Sequence, residues 1–498
     1  MEELIAALPE EMRQKLDASS KWVRSSKTPL AISHIDADGI SALAIVVKML
    51  ERQRKQPVWR NIHQLNSETV IDVRELVRET HPDLVIFTDL GTGQIELIIK
   101  HIAPEECIKH IIVLDHHLPS GQEETRHHGK IIEINPALHG LSGSQDVSGA
   151  GVAFLLAMST SVTNVDLSEL AVVGASGDLQ DYYGKGMTGI NEDIVRVAKD
   201  NGIVRVDRDL TFFGVNTRPL PVLLEYATEP YLPGITGNRE ACYRFFLDRK
   251  IELKEQSDEW RTWSDLKESE KRVAIQGLIE IVLDSYEDPR VSKGIIGDVL
   301  TLLKRPTKSE MRSAKEFSTL LNACGRNRQA EVGVKICLGS EEAYAHGRNL
   351  LQQHRANLAQ ALRRLETDGY KERKGMYVIQ DPLTPDTIIG IVIGMAQGAR
   401  IIPEDRPVIG ICPNPVEDSP MLKISGRAQK SLVNRGVNLK DAFAGSAEVL
   451  NQKHGQMLAE GGGHPMAAGA FVHHEYLDEF LDIVDESLAA MLSEKQEA

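Results

Sequence analysis

Apolar residues fall along this chain in two rhythms. Short unbroken runs of mostly branched residues stand at Pro29–Ser33, Asp83–Thr88 and Ile111–Leu114. Such runs, apolar without alternation, predict strands covered on both faces, as in a parallel sheet. Each run stops abruptly at charged residues: His34-Ile-Asp36-Ala-Asp38-Gly39 after the first, Asp89-Leu-Gly91 after the second, Asp115-His116-His117 after the third. A fourth small and apolar segment, Leu170–Gly177, reads the same way and runs into Asp178-Leu-Gln-Asp181. Open α/β folds place their ligand sites at the carboxyl edge of such strands. In an extended segment His34, Asp36 and Asp38 would project to one side.

The longer rhythm predicts helices. An amphipathic helix and a basic connector fill the first 28 residues, and Ile40–Arg54 follows the turn at Gly39. Ser148–Ala157 reads as a helix whose small residues allow close packing, and Ile190–Gly202 as one ended by Asn201-Gly202. A turn-rich stretch, Gly214-Val-Asn-Thr-Arg218-Pro-Leu and then Pro230-Tyr-Leu-Pro233-Gly234, is expected to close a first domain near residue 240. Trp260, Trp263, Leu266, Val273, Leu278 and Val282 recur at helical spacing among charges, which predicts a helical insertion over 241–340. Within it, Leu320–Arg328 reads as a polar loop with two exposed arginines. A linker over 341–374 is led by the helical pattern Glu341–Leu365. Strands at Met376–Ile379, Pro407–Ile411 and Met421–Ser425, a helix over Asp386–Gln397 and a triple-glycine loop at Gly461–His464 make up a smaller domain over 375–498. The expected class is α/β: a parallel-sheet domain over 1–240, the insertion, the linker and a smaller α/β domain.

Composition narrows the setting. At 498 residues the chain is too long for one ordinary core. It is 42% hydrophobic with a mean hydropathy of -0.23, and no apolar run approaches the ~20 residues that span a bilayer. The start, Met-Glu-Glu-Leu, lacks the basic and apolar regions of a signal peptide. The five cysteines, at 107, 242, 324, 337 and 412, are scattered. These features argue for the cytoplasm, against a membrane partner and against a cysteine-based zinc site. The net charge of -15 speaks against a nucleic-acid partner only weakly, because metal-binding acids enter the same sum and phosphate contacts are local.

The edge residues together are His34, Asp36, Asp38, Asp89, Asp115, His116, His117 and Asp178. Five carboxylates packed together repel, and some take up protons unless cations compensate them. Two divalent ions are the natural compensation, and two-metal sites serve phosphatases and nucleases. Mixed carboxylate and imidazole ligation suits manganese better than calcium, with magnesium the alternative. The reaction that fits is phosphodiester or phosphoanhydride hydrolysis by an activated water. The Gly461-Gly462-Gly463-His464 segment and Arg427 are candidate phosphate-binding groups: glycines let backbone N–H groups approach an anion, and a guanidinium binds phosphate bidentately.

This order of motifs resembles the DHH phosphoesterase superfamily. His34-x-Asp36-x-Asp38-Gly39, Asp89, Asp115-His116-His117 and Asp178 match its four motifs, and Arg427 with Gly461–His464 resembles the DHH-associated C-terminal domain. Thr217-Arg218-Pro219-Leu220, Pro233-Gly234 and Leu321-Asn322-Ala323-Cys324-Gly325-Arg326 look like the archaeal RecJ-like branch, the GINS-associated nucleases. The resemblance implies a single-strand-specific exonuclease acting on DNA or RNA in replication or repair. It implies His34, Asp36 and Asp89 on one metal, and Asp38, Asp89, His116 and Asp178 on the other. Asp115 would orient the imidazoles, and His117 would face the substrate phosphate. Arg427 and His464 would hold phosphates from the second domain, across a groove narrow enough to select single strands. A GINS-type replisome protein would dock on the insertion. Two other functions fit the same scaffold: a phosphodiesterase for short oligonucleotides or cyclic dinucleotides, and a replisome scaffold. One departure is the stretch Gly445–Glu460, which reads as a lengthened loop before His464.

Overall fold

A computed structural model describes residues 2–119, 128–181, 186–227, 232–285, 294–398, 401–414 and 419–493. The chain divides into two compact units, 1–351 and 352–498, with the boundary inside the Glu341–Asp368 helix.

The first unit is built on a five-stranded parallel sheet. Its strands are β1 (Pro29–Ser33), β2 (Val58–Asn61), β3 (Leu84–Thr88), β4 (His110–Leu114) and β5 (Ile131–Ile134), in the order β2-β1-β3-β4-β5. The three apolar runs of the sequence are its central strands. Successive side chains leave opposite faces of a strand. Leu30, Ile32, Val85, Phe87, Ile111 and Val113 accordingly enter one buried cluster with residues of the Thr69–Thr80 and Ile95–His101 helices. Ala31, Ile86, Ile112 and Leu114 enter another with the Ala37–Arg52 and Gly149–Thr160 helices. Because β1, β3 and β4 run in parallel, His34, Asp89 and Asp115 leave the sheet at one edge.

Three expectations for the first unit change. Leu170–Gly177 is not a strand but lies within a helix, Ser168–Gly177. The segment carrying His34, Asp36 and Asp38 is not extended: Asp36 caps the Ala37–Arg52 helix and Asp38 lies in its first turn. Leu320–Arg328 is not a polar loop: most of it belongs to the Ala314–Arg326 helix, and Arg328 alone of the two arginines is exposed. Within the turn-rich stretch, Pro230 and Tyr231 lie outside the described residues.

The middle of the chain separates into two parts. Residues between Leu210 and Ile295 form a cluster of their own around Trp263, Phe245 and Phe246. From β7 onward the chain rejoins the first core: β7 (Ile296–Leu302) pairs antiparallel with β6 (Val204–Leu210), and Phe317, Leu320, Val334 and Ile336 pack in the main cluster.

The second unit carries a six-stranded mixed sheet. Its strands are β8 (Lys371–Glu372), β9 (Tyr377–Gln380), β10 (Val408–Pro413), β11 (Met421–Arg427), β12 (Ala459–His464) and β13 (Ala467–His473), in the order β12-β13-β11-β10-β9-β8. Only β9 and β10 are parallel neighbours. The triple glycine is thus strand rather than loop. The Gly445–Glu460 stretch is mostly the Leu439–His454 helix, so the expected lengthened loop is a helix packed on β12. Among the described residues no helix is long and apolar enough to cross a membrane.

Candidate metal centre

Each segment that leaves the sheet edge delivers its ligand by a different local device. Asp36 uses one oxygen as the helix cap, accepting from Gly39 N at 2.9 Å, while Oδ2 lies 2.9 Å from His34 Nδ1. Gly39 is required by contact: a Cβ there would meet the His34 carbonyl oxygen at 2.6 Å. Asp38 is fully buried, and Gly149 N and Ala150 N donate to its two oxygens at 2.6 and 3.0 Å. Those donors are first-turn amides of the Gly149–Thr160 helix, whose positive end favours a carboxylate. Asp89 follows β3 with φ 56°, a left-handed conformation that aspartate tolerates better than branched residues do. Asp178 caps the carboxyl end of the Ser168–Gly177 helix.

His116 Nδ1 lies 2.6 Å from the Gly143 carbonyl oxygen. A carbonyl only accepts, so Nδ1 carries a proton and Nε2 is the nitrogen turned toward the carboxylates. That Nε2 is 3.2 Å from Asp89 Oδ1, 3.2 Å from Asp178 Oδ2 and 3.7 Å from Asp38 Oδ2. On the other side of Asp89, Oδ2 is 3.5 Å from His34 Nδ1. Three groups hold ligand atoms all within 4.8 Å of one another: His34-Asp36-Asp89, Asp38-His116-Asp178 and Asp89-His116-His117. Asp89 belongs to the first and third of these groups, and its Oδ1 and Oδ2 face His116 and His34 respectively.

Asp115 plays another part. Its Oδ2 accepts from Thr92 N at 2.9 Å, and its Oδ1 accepts from His116 N at 2.8 Å and from the His117 ring at 2.8 Å. It belongs to none of the three groups; it holds the His117 ring directly and the His116 backbone beside it. His117 is 43% exposed, with Nδ1 committed to Asp115.

The electrostatics mark a cluster short of positive charge. Burial favours neutral imidazole, yet Asp36 and Asp89 around His34 outweigh it, as do Asp89, Asp178 and Asp38 around His116. Both rings are held well above their ordinary range. Burial, reinforced by Asp178 and Asp89, pushes Asp38 up as well. Asp178 is pushed up to about 7, chiefly by burial and then by Asp36 and Asp89 against the pull of His116. Asp36 goes the other way: burial opposes ionisation, but the His34 imidazole beside it wins.

Both oxygens of Asp89, Nδ1 of His34 and Nε2 of His116 are buried with no hydrogen-bond partner. Leaving such groups unpaired costs roughly 1–3 kcal/mol each, and more when charged. Divalent cations would supply what is missing, and the donor groups His34-Asp36-Asp89 and Asp38-His116-Asp178 suit such ions in residue type.

Residues 30–177 match the DHH family, N-terminal domain, and residues 212–292 match the DHH-CID domain. Over 489 residues the chain is 30% identical to the uncharacterized protein MJ0831 of Methanocaldococcus jannaschii, spanning 97% of this chain and 100% of that one. The chain belongs to the DHH family. Among solved structures, this DHH protein resembles RecJ in complex with Mn2+ from Thermus thermophilus, with TM-score 0.58 and 18% identity over 97% of its own length. It spans only 55% of that RecJ chain. It also resembles an exonuclease RecJ bound to manganese (TM-score 0.55, 18% identity, 95% of this chain and 94% of that one). CDC45 from Entamoeba histolytica is another such neighbour, at TM-score 0.60 and 14% identity over 96% of this chain and 98% of that one. At these identities the likeness is one of fold.

In the second unit, the expected phosphate-binding residues lie on one sheet. Arg427 and His464 are both register partners of Ala467, so they share one row across β11, β13 and β12. The three glycines differ in purpose. A Cβ on Gly461 would meet the Phe443 carbonyl oxygen at 2.8 Å, and one on Gly463 the Ala467 carbonyl oxygen at 2.7 Å; at Gly462 nothing lies within 4 Å. Gly462 alone therefore leaves open space beside the row.

Several site-building residues escaped the sequence reading. Gly143 takes the His116 proton, and a Cβ on it would lie 1.7 Å from the His116 carbonyl oxygen. Cβ atoms on Gly149 and Gly174 would strike Asp89 and Asp38, respectively. Glycines this close to the cluster were visible only as a small-residue pattern, without a reason for it.

Proposed function

We propose that this DHH protein is a metal-dependent exonuclease that hydrolyses phosphodiester bonds in single-stranded DNA or RNA. The observation that carries the reading is Asp89, with both oxygens bare between His34 and Asp36 on one side and His116, Asp38 and Asp178 on the other. Divalent ions held there, manganese foremost and magnesium as the alternative, would neutralise phosphoryl charge and make a water nucleophilic at neutral pH. The chain's own groups do the rest. Gly143 orients the His116 ring, and Asp115 fixes the His117 ring and the His116 backbone. His117, held above its ordinary pKa by Asp115 against the effect of burial, offers a proton-bearing ring to a substrate phosphate. Arg427 and His464 contribute phosphate contacts from the β11–β13–β12 sheet. A role beside a replisome partner, of the GINS type, was expected on the 241–340 insertion; since residues from Ile296 on rejoin the first core, the part that can carry it is the separate cluster between Leu210 and Ile295. Its surface exposes Tyr226, Leu247, Trp260, Val273 and Leu283.

The test is incubation with Mn2+ or Mg2+ and single-stranded DNA or RNA labelled at either end. Stepwise loss of nucleotides from one end is expected. Cleavage confined to dimers through pentamers would select the short-oligonucleotide phosphodiesterase. No turnover with either metal would select the scaffold, a reading favoured by the likeness in fold to CDC45. Docking is read by pull-down of a replisome protein: Trp260→Glu with Leu247→Glu should lose the partner and keep hydrolysis.

A further inference from the structure

The Ala37–Arg52 helix has an exposed weakness at its start. The first amides of a helix lack intrahelical partners. Asp36 caps only Gly39 N, and its other oxygen faces His34. The amide of Ala37, between Asp36 and Asp38, is taken instead by a side chain from far along the chain: it donates to Asn322 Oδ1 at 3.0 Å.

Asn322 lies on the Ala314–Arg326 helix, which is pressed against the same segment. A Cβ on Gly325, three residues further, would fall 1.9 Å from the Ile35 carbonyl oxygen and 2.9 Å from its carbon. Both contacts are with backbone, so nothing flexible could yield. The helix also reaches the segment that delivers Asp178: a Cβ on Gly177 would lie 3.5 Å from Ser318 Cβ and 2.7 Å from Ala37 Cβ. At its other end Glu316 is buried and accepts from Thr217 Oγ1 at 2.8 Å and Asn216 N at 3.2 Å. The helix is thus clamped at both ends while it bears on two ligand-bearing segments.

We propose that Asn322 and Gly325 are positioning residues of the metal centre, in which Asn322 takes the Ala37 amide so that Asp36 keeps one oxygen for a cation. The inference rests on the metal-centre reading and reaches beyond it, because neither residue belongs to the ligand cluster. Without the Asn322 oxygen, the Ala37 amide would draw on Asp36 or water, and the His34–Asp38 turn would lose its fixed spacing. Groups that orient metal ligands typically change metal affinity or activity by about 10–100-fold when removed.

The experiment measures Mn2+ binding to the full chain without substrate, by electron paramagnetic resonance of the free ion, alongside thermal melting. Asn322→Ala should weaken Mn2+ binding by about 10-fold or more. Asn322→Asp, which keeps an acceptor for the amide, should bind within ~3-fold of wild type, the margin left for its added charge near the ligands. Gly325→Ala should weaken binding like Asn322→Ala. A helix cap with no bearing on the metal would lower melting and leave Mn2+ affinity unchanged, which would overturn the proposal. Should Asn322→Ala fail to fold, Gly325→Ala decides by the same criterion. A wild-type chain that binds no Mn2+ would overturn the metal centre and this inference together. A chain that binds Mn2+ but never cleaves nucleic acid, with Asn322→Ala still weakened, would overturn the nuclease reading alone.

Discussion

At the scale of single residues, the site separates groups that face the cluster from groups that aim them. Asp115 looks from the sequence like a member of the site, since it opens the Asp115-His116-His117 run. Its oxygens are occupied by Thr92 N, His116 N and the His117 ring, which makes it the brace of the His117 imidazole and of the turn that carries His116. These partners and the adjacent His117 ring hold it ionised, below the ordinary carboxylate range despite burial. Asp115→Asn should therefore lower turnover by about 10–100-fold. An asparagine keeps the volume, so melting should stay within a few degrees. The check is kcat beside a thermal melt, and unchanged kcat would remove Asp115 from the mechanism. From the residue types alone the brace was not legible, because an acid that binds metal and one that orients a ligand are written with the same letter; it was the resemblance to the DHH superfamily that implied an orienting role for Asp115.

At the scale of elements, the central strands were legible and two ligand-bearing segments were misread, the His34–Asp38 turn as extended and Leu170–Gly177 as a strand. β1, β3 and β4 are apolar on both faces, and their ends are marked by acids. The Ser168–Gly177 helix is also buried all round, so its apolar residues carry no period that could separate it from a buried strand. Its small residues are explained by contact. A Cβ on Gly174 would lie 2.3 Å from Asp38 Oδ1 and 2.5 Å from Ala150 Cβ. Gly174→Val should therefore destabilise the fold by roughly 1–3 kcal/mol through overpacking. It should weaken Mn2+ binding as well, since it displaces Asp38. Urea midpoints and metal titration read the two effects, and a variant as stable as wild type would show that this helix can shift. The β12 strand escaped notice because three glycines read as a turn; its pairing with β13 becomes visible only in the register Gly461↔Ala470 to His464↔Ala467.

At the scale of the whole molecule, the α/β class, with a parallel sheet early in the chain and a smaller sheet-bearing domain at its end, was legible from the alternation of short runs and long periods. The return of residues 296–340 to the first core was not, since a helix that closes an insertion and one that rejoins a core show the same periodicity. The global charge of -15 likewise conceals how much of it is local demand for cations. That demand has a pH signature. A carboxyl raised in the folded state, as Asp178 is to about 7, stabilises the fold below its unfolded pKa and loses that contribution as pH rises through about 7. Asp38, His34 and His116, all raised, act in the same direction. The metal-free chain should thus melt at progressively lower temperature as pH rises from about 4 through 7, and added Mn2+ should raise the melting temperature most above pH 7, where protons no longer compete for the ligands. Melting scans in EDTA and in Mn2+ across that range check it; a Mn2+ effect that shrinks with rising pH would contradict it.

The most direct test of a dinuclear centre bridged by Asp89 is to count bound Mn2+ in wild type and in Asp89→Asn at equilibrium. Asparagine tolerates the left-handed backbone that Asp89 adopts, so the substitution removes charge without forcing the chain. Two ions per wild-type chain, with the occupancy of both lost in Asp89→Asn at the same free Mn2+, is the predicted result. A single ion in wild type, or two ions retained by Asp89→Asn, would contradict it.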